Sequence, residues 1–195
     1  MTIDIKNSKP ALLVLDYQRI IIEQFICAEA ASQVVGNTHS LLNAAREASI
    51  PVIFVKVGFS KGYPEVNRNN ALFSTIKGAG LLSLDDPHTA IHAELSPTRD
   101  EAVITKHRMG AFTGTALNMQ LRAKGIDTLI MAGLTTAGVV LSTTRQALDL
   151  DYRVVVAEDC CADATAEKHT LITNQVLAEH AEITDSKSLQ SLFRG

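Results

Sequence analysis

The stretch Asp127-Thr128-Leu129-Ile130-Met131-Ala132-Gly133-Leu134-Thr135-Thr136-Ala137-Gly138-Val139-Val140 decides the fold. It opens with a short apolar run typical of a buried strand, passes through a turn of glycine and threonine, and ends where a helix is expected to begin. Such a turn exposes backbone N–H groups at a helix start, where they can hold an anion or a developing oxyanion. Hydrolases often place a serine or cysteine there. We call this turn, residues 133–139, the elbow. Gly138 and Val139 occupy the place where such a nucleophile would be expected.

Strand and helix patterns alternate on both sides of the elbow. A parallel sheet with helices on both faces is the arrangement that this repetition implies. The sequence therefore predicts a three-layer α/β/α fold with a six-stranded, mostly parallel, doubly wound sheet. The predicted strands are 11–15, 51–55, 102–105, 129–132, 153–157 and an edge strand at 181–184, and the predicted helices are one at about 29–48, one ending near Gly125, and one capped by Asp163 that contains Leu171, Ile172, Val176 and Leu177.

Length and composition restrict the class of protein. A chain of 195 residues with 46% hydrophobic and 20% charged residues is expected to form one globular domain, residues 1–195. The net charge of −3 and the scattered basic residues argue against a nucleic-acid partner. No apolar run approaches the roughly 20 residues of a membrane helix. The N-terminal residues 1–6 lack a signal-peptide pattern, and three cysteines make no secreted disulfide framework, so we expect a cytoplasmic protein.

Ligands of such folds bind beyond the carboxyl ends of the strands. The residues predicted at those ends are Asp16, Lys56, Lys106, Gly133-Leu134-Thr135 and Glu158-Asp159. The segment 57–100 has no clear periodicity, and a stretch of that length usually serves as a lid or a subunit contact. We therefore expect the ligand site at this edge, near that segment.

Asp16 and Lys106 are the candidate catalytic pair. A carboxylate at the end of an apolar strand tends to have a raised pKa and can act as a general acid or base. Taken alone, such an aspartate is more often a turn or capping residue, and such a lysine is more often a solvated surface residue. If the two side chains meet, Lys106 holds Asp16 and stabilises charge that develops in the reaction.

Several segments in this order resemble the isochorismatase-like hydrolase superfamily, which includes nicotinamidases, carbamoylsarcosine amidohydrolase and isochorismatases. The resemblance extends over nearly the whole chain. The segments that carry it are Leu12-Leu13-Val14-Leu15-Asp16-Tyr17-Gln18, Val103-Ile104-Thr105-Lys106-His107-Arg108, Ala111-Phe112-Thr113-Gly114-Thr115-Ala116-Leu117, Lys124-Gly125-Ile126-Asp127-Thr128-Leu129, the stretch from Gly133 to Thr143, and Ala157-Glu158-Asp159-Cys160-Cys161-Ala162.

The resemblance implies an Asp–Lys–Cys triad in which Asp16 is the acid or base and Lys106 the positioning cation. The position of the nucleophilic cysteine is Val139 in this chain. The resemblance also implies a cis peptide bond at Leu134-Thr135 and an oxyanion hole made by the backbone N–H groups of Thr135 and Val139. It further implies a homodimer or homotetramer.

Other chemistry remains open at this stage. The metal-binding histidines of the nicotinamidase branch have no counterpart in Lys56-Val57-Gly58-Phe59-Ser60, so we expect no metal and no cofactor; His88 and His92 are a weaker metal alternative. Cys160 or Cys161 could replace the missing thiol, although a free cysteine is more often a small buried hydrophobe.

The sequence is compatible with three functions, each of which involves a small-molecule ligand. The first is vinyl-ether hydrolysis of the isochorismate type, with Asp16 as general acid on a small anionic substrate. The second is amide hydrolysis with another nucleophile, and the third is a non-catalytic binding protein that keeps the fold. The predicted substrate contacts are Gln18, Phe112 as an apolar wall, and Arg68 as a carboxylate clamp.

Overall fold

A parallel sheet forms the middle layer of the protein in the computed structural model, which describes residues 7–194. Its strands are β1 (Pro10–Leu15), β2 (Val52–Val57), β3 (Ala102–Lys106), β4 (Thr128–Leu134), β5 (Arg153–Ala162) and β6 (Glu182–Thr184). They lie in the order β3-β2-β1-β4-β5-β6, and every neighbouring pair is parallel. The predicted three-layer, doubly wound α/β fold is therefore confirmed.

Helices cover both faces of this sheet. They are α1 (Arg19–Gln24), α2 (Ala28–Glu47), α3 (Ala71–Gly78), α4 (Leu117–Ala123), α5 (Leu141–Asp149), α6 (Ala166–Gln175) and α7 (Ser186–Arg194). Short 3₁₀ turns occur at Pro87–Thr89, Ala93–Leu95 and Leu177–Glu179, and a π-helical turn, Thr136–Val140, precedes α5.

The two faces of β1 belong to two separate hydrophobic cores. Leu12 and Val14 pack with α1, α2, α3 and α7, whereas Leu13 and Leu15 pack with α4 and α5. Successive side chains of a strand point to opposite faces, so an uninterrupted apolar run is required where both faces are covered. This explains why β1 is apolar throughout.

The strand order reverses between β1 and β4. The chain builds outward from β1 to β2 and β3, and then returns to place β4 on the other side of β1. The connections leaving β1 and β4 therefore diverge to opposite faces, which opens a crevice at their carboxyl ends. Asp16 and the elbow follow these two strands directly.

The structure corrects the predicted start of α6. Asp163 is not its N-cap, because the side chain of Thr165 accepts the hydrogen bond from the Lys168 N–H and the helix begins at Ala166. The helix also ends at Gln175, so Val176 and Leu177 lie beyond it.

The fifth strand is longer than predicted. It extends to Ala162, with a register shift opposite β4 between Met131 and Gly133. Glu158 and Asp159 are therefore inside β5, as Lys56 is inside β2, and the residue that follows β5 is Asp163.

Two predictions from the sequence concern a signal peptide and membrane-spanning helices. Residues 1–6, on which the absence of a signal peptide was judged, lie outside the described residues. Within 7–194, no helix has both the length and the apolar character that crossing a membrane requires.

Candidate active site

The elbow has the backbone geometry that the resemblance implied. The Leu134–Thr135 peptide bond is cis, and the π-helical turn that follows leads directly into α5. Gly138 is required there, since a Cβ on it would lie 2.6 Å from the Oγ1 of Thr135. Asp163 also holds the turn, because its Oδ2 accepts a 2.7 Å hydrogen bond from the Ala137 N–H.

Asp16 and Lys106 meet at the carboxyl end of the sheet. The Nζ of Lys106 lies 2.8 Å from the Oδ2 of Asp16 and donates a second hydrogen bond, 3.0 Å long, to the Arg108 carbonyl. β3 is two strands away from β1, roughly 10 Å, so only a long side chain at its end can reach Asp16. Asp16 itself has a φ of 56°, in the left-handed region that aspartate and asparagine enter more readily than most residues.

Both members of this pair are buried, with 4% of Asp16 and 1% of Lys106 exposed. Burial raises the pKa of the Asp16 carboxyl above its ordinary value, and the positive charge and hydrogen bond of Lys106 oppose that rise only in part. The Oδ1 of Asp16 has no hydrogen-bond partner among residues 7–194. Asp16 is thus a buried carboxyl group with one oxygen held by a cation and the other, also buried, without a hydrogen-bond partner in the described chain.

A cavity of about 380 Å³ opens onto this pair and the elbow. Asp16, Lys106, Thr135 and Val139 all line it. Most of the remaining lining is apolar, and six of its apolar side chains come from α1 with its C-cap, α3 and the segment after α3: Ile21, Phe25, Leu72, Phe73, Ile76 and Leu82. The segment 57–100 therefore contributes α3 as one wall of the cavity.

Two charged residues of the cavity were not predicted as site residues. Asp163 and Lys168 line it, and the Lys168 Nζ lies 2.8 Å from the Asp163 Oδ1. The sequence held a signal for Asp163, a polar residue after an apolar strand, but it was interpreted as a helix cap because β5 was predicted too short.

The three predicted substrate contacts do not line this cavity. Gln18 is fully buried, and its amide bridges the main chain: Nε2 donates to the carbonyls of Val57 and Thr89, and Oε1 accepts from the Val57 N–H. Phe112 stacks on Tyr152 with ring centroids 5.9 Å apart, and Arg68 is exposed. The structure therefore places Gln18 in a supporting role beneath the site and brings neither Phe112 nor Arg68 to it.

Neither neighbouring cysteine supplies a thiol to the cavity. Cys160 and Cys161 are buried on opposite faces of β5, and neither is among the lining residues. Burial raises the pKa of Cys160 well above its ordinary value and that of Cys161 to about 12. Because the thiolate is the nucleophile, these side chains are poorly suited to attack.

The elbow does contain a threonine–histidine contact. Thr136 Oγ1 lies 2.8 Å from the Nδ1 of His169, an arrangement that can activate a hydroxyl. Thr136 is fully buried and does not line the cavity, however, so the contact fixes the turn and presents no nucleophile to a ligand there. Thr135 is the one serine or threonine among the lining residues.

Histidines stand apart from the cavity. His88 contacts Glu23 at 3.3 Å, His92 accepts a hydrogen bond from the Glu94 N–H, and His107 contacts the Gly58 carbonyl at 2.6 Å. Over residues 7–194, no group of three or more His, Cys, Asp or Glu side chains is arranged to hold a metal ion.

Comparison with known proteins assigns this chain to a family. The isochorismatase domain model matches residues 10–188, so the chain belongs to the isochorismatase family and is a hydrolase of that family. It is 32% identical over 182 residues to the uncharacterised isochorismatase family protein YecD of Escherichia coli O157:H7, covering 93% of this chain and 94% of that protein.

Two further relatives are informative. Ureidoacrylate amidohydrolase RutB of Stutzerimonas stutzeri strain A1501 is 30% identical over 181 residues, covering 83% of this chain and 73% of that protein. A cysteine hydrolase crystal structure from Pseudomonas syringae pv. phaseolicola 1448A superposes with a TM-score of 0.87 at 22% identity, covering 95% of this chain and 92% of that one. The second likeness shows the fold.

Proposed function

We propose that this hydrolase cleaves the enol-ether bond of a small anionic metabolite, of the isochorismate type, by acid catalysis from Asp16 without a covalent intermediate. The observation that carries the proposal is the state of Asp16: a buried carboxyl group that lines the cavity, pairs with Lys106 through Oδ2 and has no hydrogen-bond partner at Oδ1. A raised pKa keeps such a carboxyl group protonated closer to neutral pH, as a general acid requires.

Enol ethers need an acid rather than a nucleophile. Asp16 would protonate the methylene carbon of a substrate R–O–C(=CH₂)–COO⁻, and water would add to the resulting oxocarbenium carbon. The hemiketal then expels the alcohol ROH and leaves pyruvate, while the proton released from water restores Asp16. Lys106 assists because it stabilises the Asp16 carboxylate that exists after proton transfer.

The residue at position 139 supports this route over a covalent one. Val139 lines the cavity, at the position where the resemblance implies a nucleophilic cysteine, and an aliphatic side chain cannot attack a carbonyl group. The N–H groups of Thr135 and Val139 belong to the backbone and survive this replacement. In the proposal they receive the carboxylate or the ketal oxygen of the substrate.

A direct assay tests the proposal. The enolpyruvyl ether 2-phenoxyacrylate releases phenol and pyruvate on hydrolysis, and pyruvate is measured by coupling to lactate dehydrogenase. We expect the purified protein to release pyruvate from this ether, which carries a single carboxylate. Folded protein that releases no pyruvate from it would contradict the proposal.

The proposed mechanism predicts the direction in which kcat/KM changes with pH. Because the protonated form of Asp16 is the active one, kcat/KM is expected to be highest on the acidic side. It should fall about tenfold per pH unit above the pKa of Asp16. Since burial raises that pKa, the fall should begin above the ordinary aspartate value of about 3.9. A pH–rate profile measures this, and activity that increases with pH through the same range would show that Asp16 acts as a base.

A Val139→Cys variant tests whether the rest of the machinery can support the family's thiol chemistry. We expect this variant to gain hydrolysis of a small carboxylate-bearing amide such as maleamate, together with sensitivity to iodoacetamide. Val140→Cys is the matched control, because Val140 is its buried neighbour and does not line the cavity. A Val139→Cys protein that is alkylated but gains no amide hydrolysis would show that the elbow is not a working oxyanion site.

Amide hydrolysis by the native chain is the second candidate, and the amidohydrolase name of the RutB relative favours it. Thr135 would then be the nucleophile, as it is the one serine or threonine among the lining residues. Mass spectrometry of protein quenched during turnover would reveal an acyl group on Thr135. Amide turnover that a Thr135→Val substitution abolishes would favour this candidate over the enol-ether route.

A further inference from the structure

The cavity combines a few polar groups with an extended apolar wall. Its polar and charged lining residues are Asp16, Gln24, Lys106, Thr135, Asp163 and Lys168, whereas α1 with its C-cap, α3 and the segment after α3 supply six apolar side chains. Two of these are aromatic, Phe25 and Phe73. A ligand that fills the cavity must therefore have a polar end and an apolar body.

The ionisable residues that line the cavity determine which charge is favoured at the polar end of a ligand. The ionisable lining residues are Asp16, Lys106, Asp163 and Lys168. In the proposed acid mechanism the reactive form of Asp16 is protonated, and in that form the remaining groups are two lysines and one carboxylate, which leaves one surplus positive charge. A monoanion neutralises this charge, while a dianion would leave an uncompensated negative charge among apolar side chains, which is costly.

Lys168 is the cation placed to meet a ligand. Asp163, whose side chain is 1% exposed, accepts hydrogen bonds from the backbone N–H groups of Ala137 and Ala164 and pairs with the Lys168 Nζ. An ammonium group carries three N–H donors, and this pairing uses one. Lys168 is half-exposed and lines the cavity, so its other donors are accessible from the solvent side. Asp163 thus ties one cation to the elbow.

We propose that the site is selective for monocarboxylates with a ring-sized apolar body, and that Lys168 is the residue that recognises the carboxylate. This deepens the proposed function and rests on it, because it defines the substrate as the enolpyruvyl ether of an apolar alcohol. The apolar body packs against α1 and α3, and the carboxylate lies between Lys168 and the elbow. An engineered cavity of about 150 Å³ holds benzene, so a cavity of about 380 Å³ has room for a ring and an enolpyruvyl group.

Unreactive probes measure this selectivity by calorimetry. The four probes are 3-phenylpropionate (a ring and one charge), 3-phenylpropionamide (a ring and no charge), phenylsuccinate (a ring and two charges) and butyrate (one charge and no ring). We expect 3-phenylpropionate to bind about tenfold or more tightly than each of the other three. An amide or a dianion that binds as tightly as the monocarboxylate would overturn the assignment of a single negative charge to the ligand. Butyrate that binds equally well would overturn the requirement for a ring-sized apolar body. An absence of binding by all four would overturn both.

Two substitutions locate the selectivity. Lys168→Gln is expected to remove the preference for 3-phenylpropionate over its amide, whereas Lys77→Gln, an exposed lysine of α3 outside the lining, is expected to preserve it. Leu72→Gln, at a half-exposed position of the apolar wall, should weaken the binding of 3-phenylpropionate and leave the affinity for butyrate unchanged. An unaltered preference in Lys168→Gln would overturn the role of Lys168.

The probes contain no bond that the enzyme hydrolyses, so this test is independent of catalysis. If the probes bind as expected while 2-phenoxyacrylate is not hydrolysed, the ligand class stands and the proposed reaction is wrong. If an acyclic enolpyruvyl ether is hydrolysed as fast as 2-phenoxyacrylate, the reaction stands and the ligand class is wrong.

Discussion

Replacing Asp16 by asparagine is expected to reduce the hydrolysis of 2-phenoxyacrylate about 10²–10⁴-fold, the usual contribution of a general acid. Asparagine has the shape of aspartate and tolerates the left-handed backbone at this position, where φ is 56°. It cannot transfer a proton at accessible pH, so the loss in kcat/KM should be largest on the acidic side, where Asp16 of the wild-type protein is protonated. Pyruvate release measures the effect.

Asp149→Asn is the matched control, because Asp149 is an exposed aspartate at the end of α5 and lies outside the cavity. Circular dichroism of both variants verifies that they are folded. An Asp16→Asn protein that is folded and retains wild-type turnover would remove Asp16 from the mechanism and with it the proposed function.

Replacing Lys106 by methionine is expected to destabilise the protein by about 3–5 kcal/mol at neutral pH, because it leaves the buried Asp16 without its cation. The sign with pH follows from linkage. The pKa of Asp16 in the folded protein is already above 3.8, its value in the unfolded chain. Without Lys106 it rises further, so stability is lost progressively as the pH increases above 3.8. Denaturant unfolding of both proteins at pH 4 and pH 7 measures this difference.

Lys56→Met, at a half-buried lysine of β2 that does not line the cavity, is the control for loss of a lysine in the sheet. The double variant Asp16→Asn with Lys106→Met removes both charges and should recover part of the lost stability. A Lys106→Met penalty that is equal at pH 4 and pH 7 would show that the loss comes from packing rather than from the unpaired carboxyl group.

The sheet and the catalytic pair were predictable because their signals are local. A strand covered on both faces must be apolar throughout, so β1 and β4 are visible as runs of aliphatic residues. A charged residue that directly follows such a run must lie at the carboxyl edge. Asp16 and Lys106 were found in this way, and the structure brings them within 2.8 Å of each other.

The cavity walls were not predictable by the same means. The helix α3 is eight residues long and lies in a segment rich in glycine and proline, which hid it. A signal for α3 exists, since Asn70 caps the helix by accepting from the Phe73 N–H and apolar residues recur at 72, 73 and 76. Asp163 was misassigned because the register shift in β5 extends that strand beyond its aliphatic run.

The role of the remaining predicted substrate contacts depends on partners that are distant along the chain. Gln18 follows the same strand as Asp16, but only the folded chain reveals that its amide is saturated by the main chain of Val57 and Thr89. Phe112 likewise finds an aromatic partner, Tyr152, that is 40 positions away along the chain. Sequence patterns indicate which residues are near the edge, whereas hydrogen bonding and stacking partners determine which of them remain available to a ligand.

Hydrolysis of 2-phenoxyacrylate in D₂O distinguishes proton transfer from Asp16 to carbon from attack by an enzyme nucleophile. The pyruvate must be trapped at once as lactate and analysed by mass spectrometry, while the mass of the intact, quenched protein is also measured. We expect one deuterium in the methyl group of the product, a normal solvent isotope effect on kcat/KM, and an unmodified protein. Pyruvate without deuterium at that carbon, or a covalent adduct on the protein, would contradict the proposed mechanism.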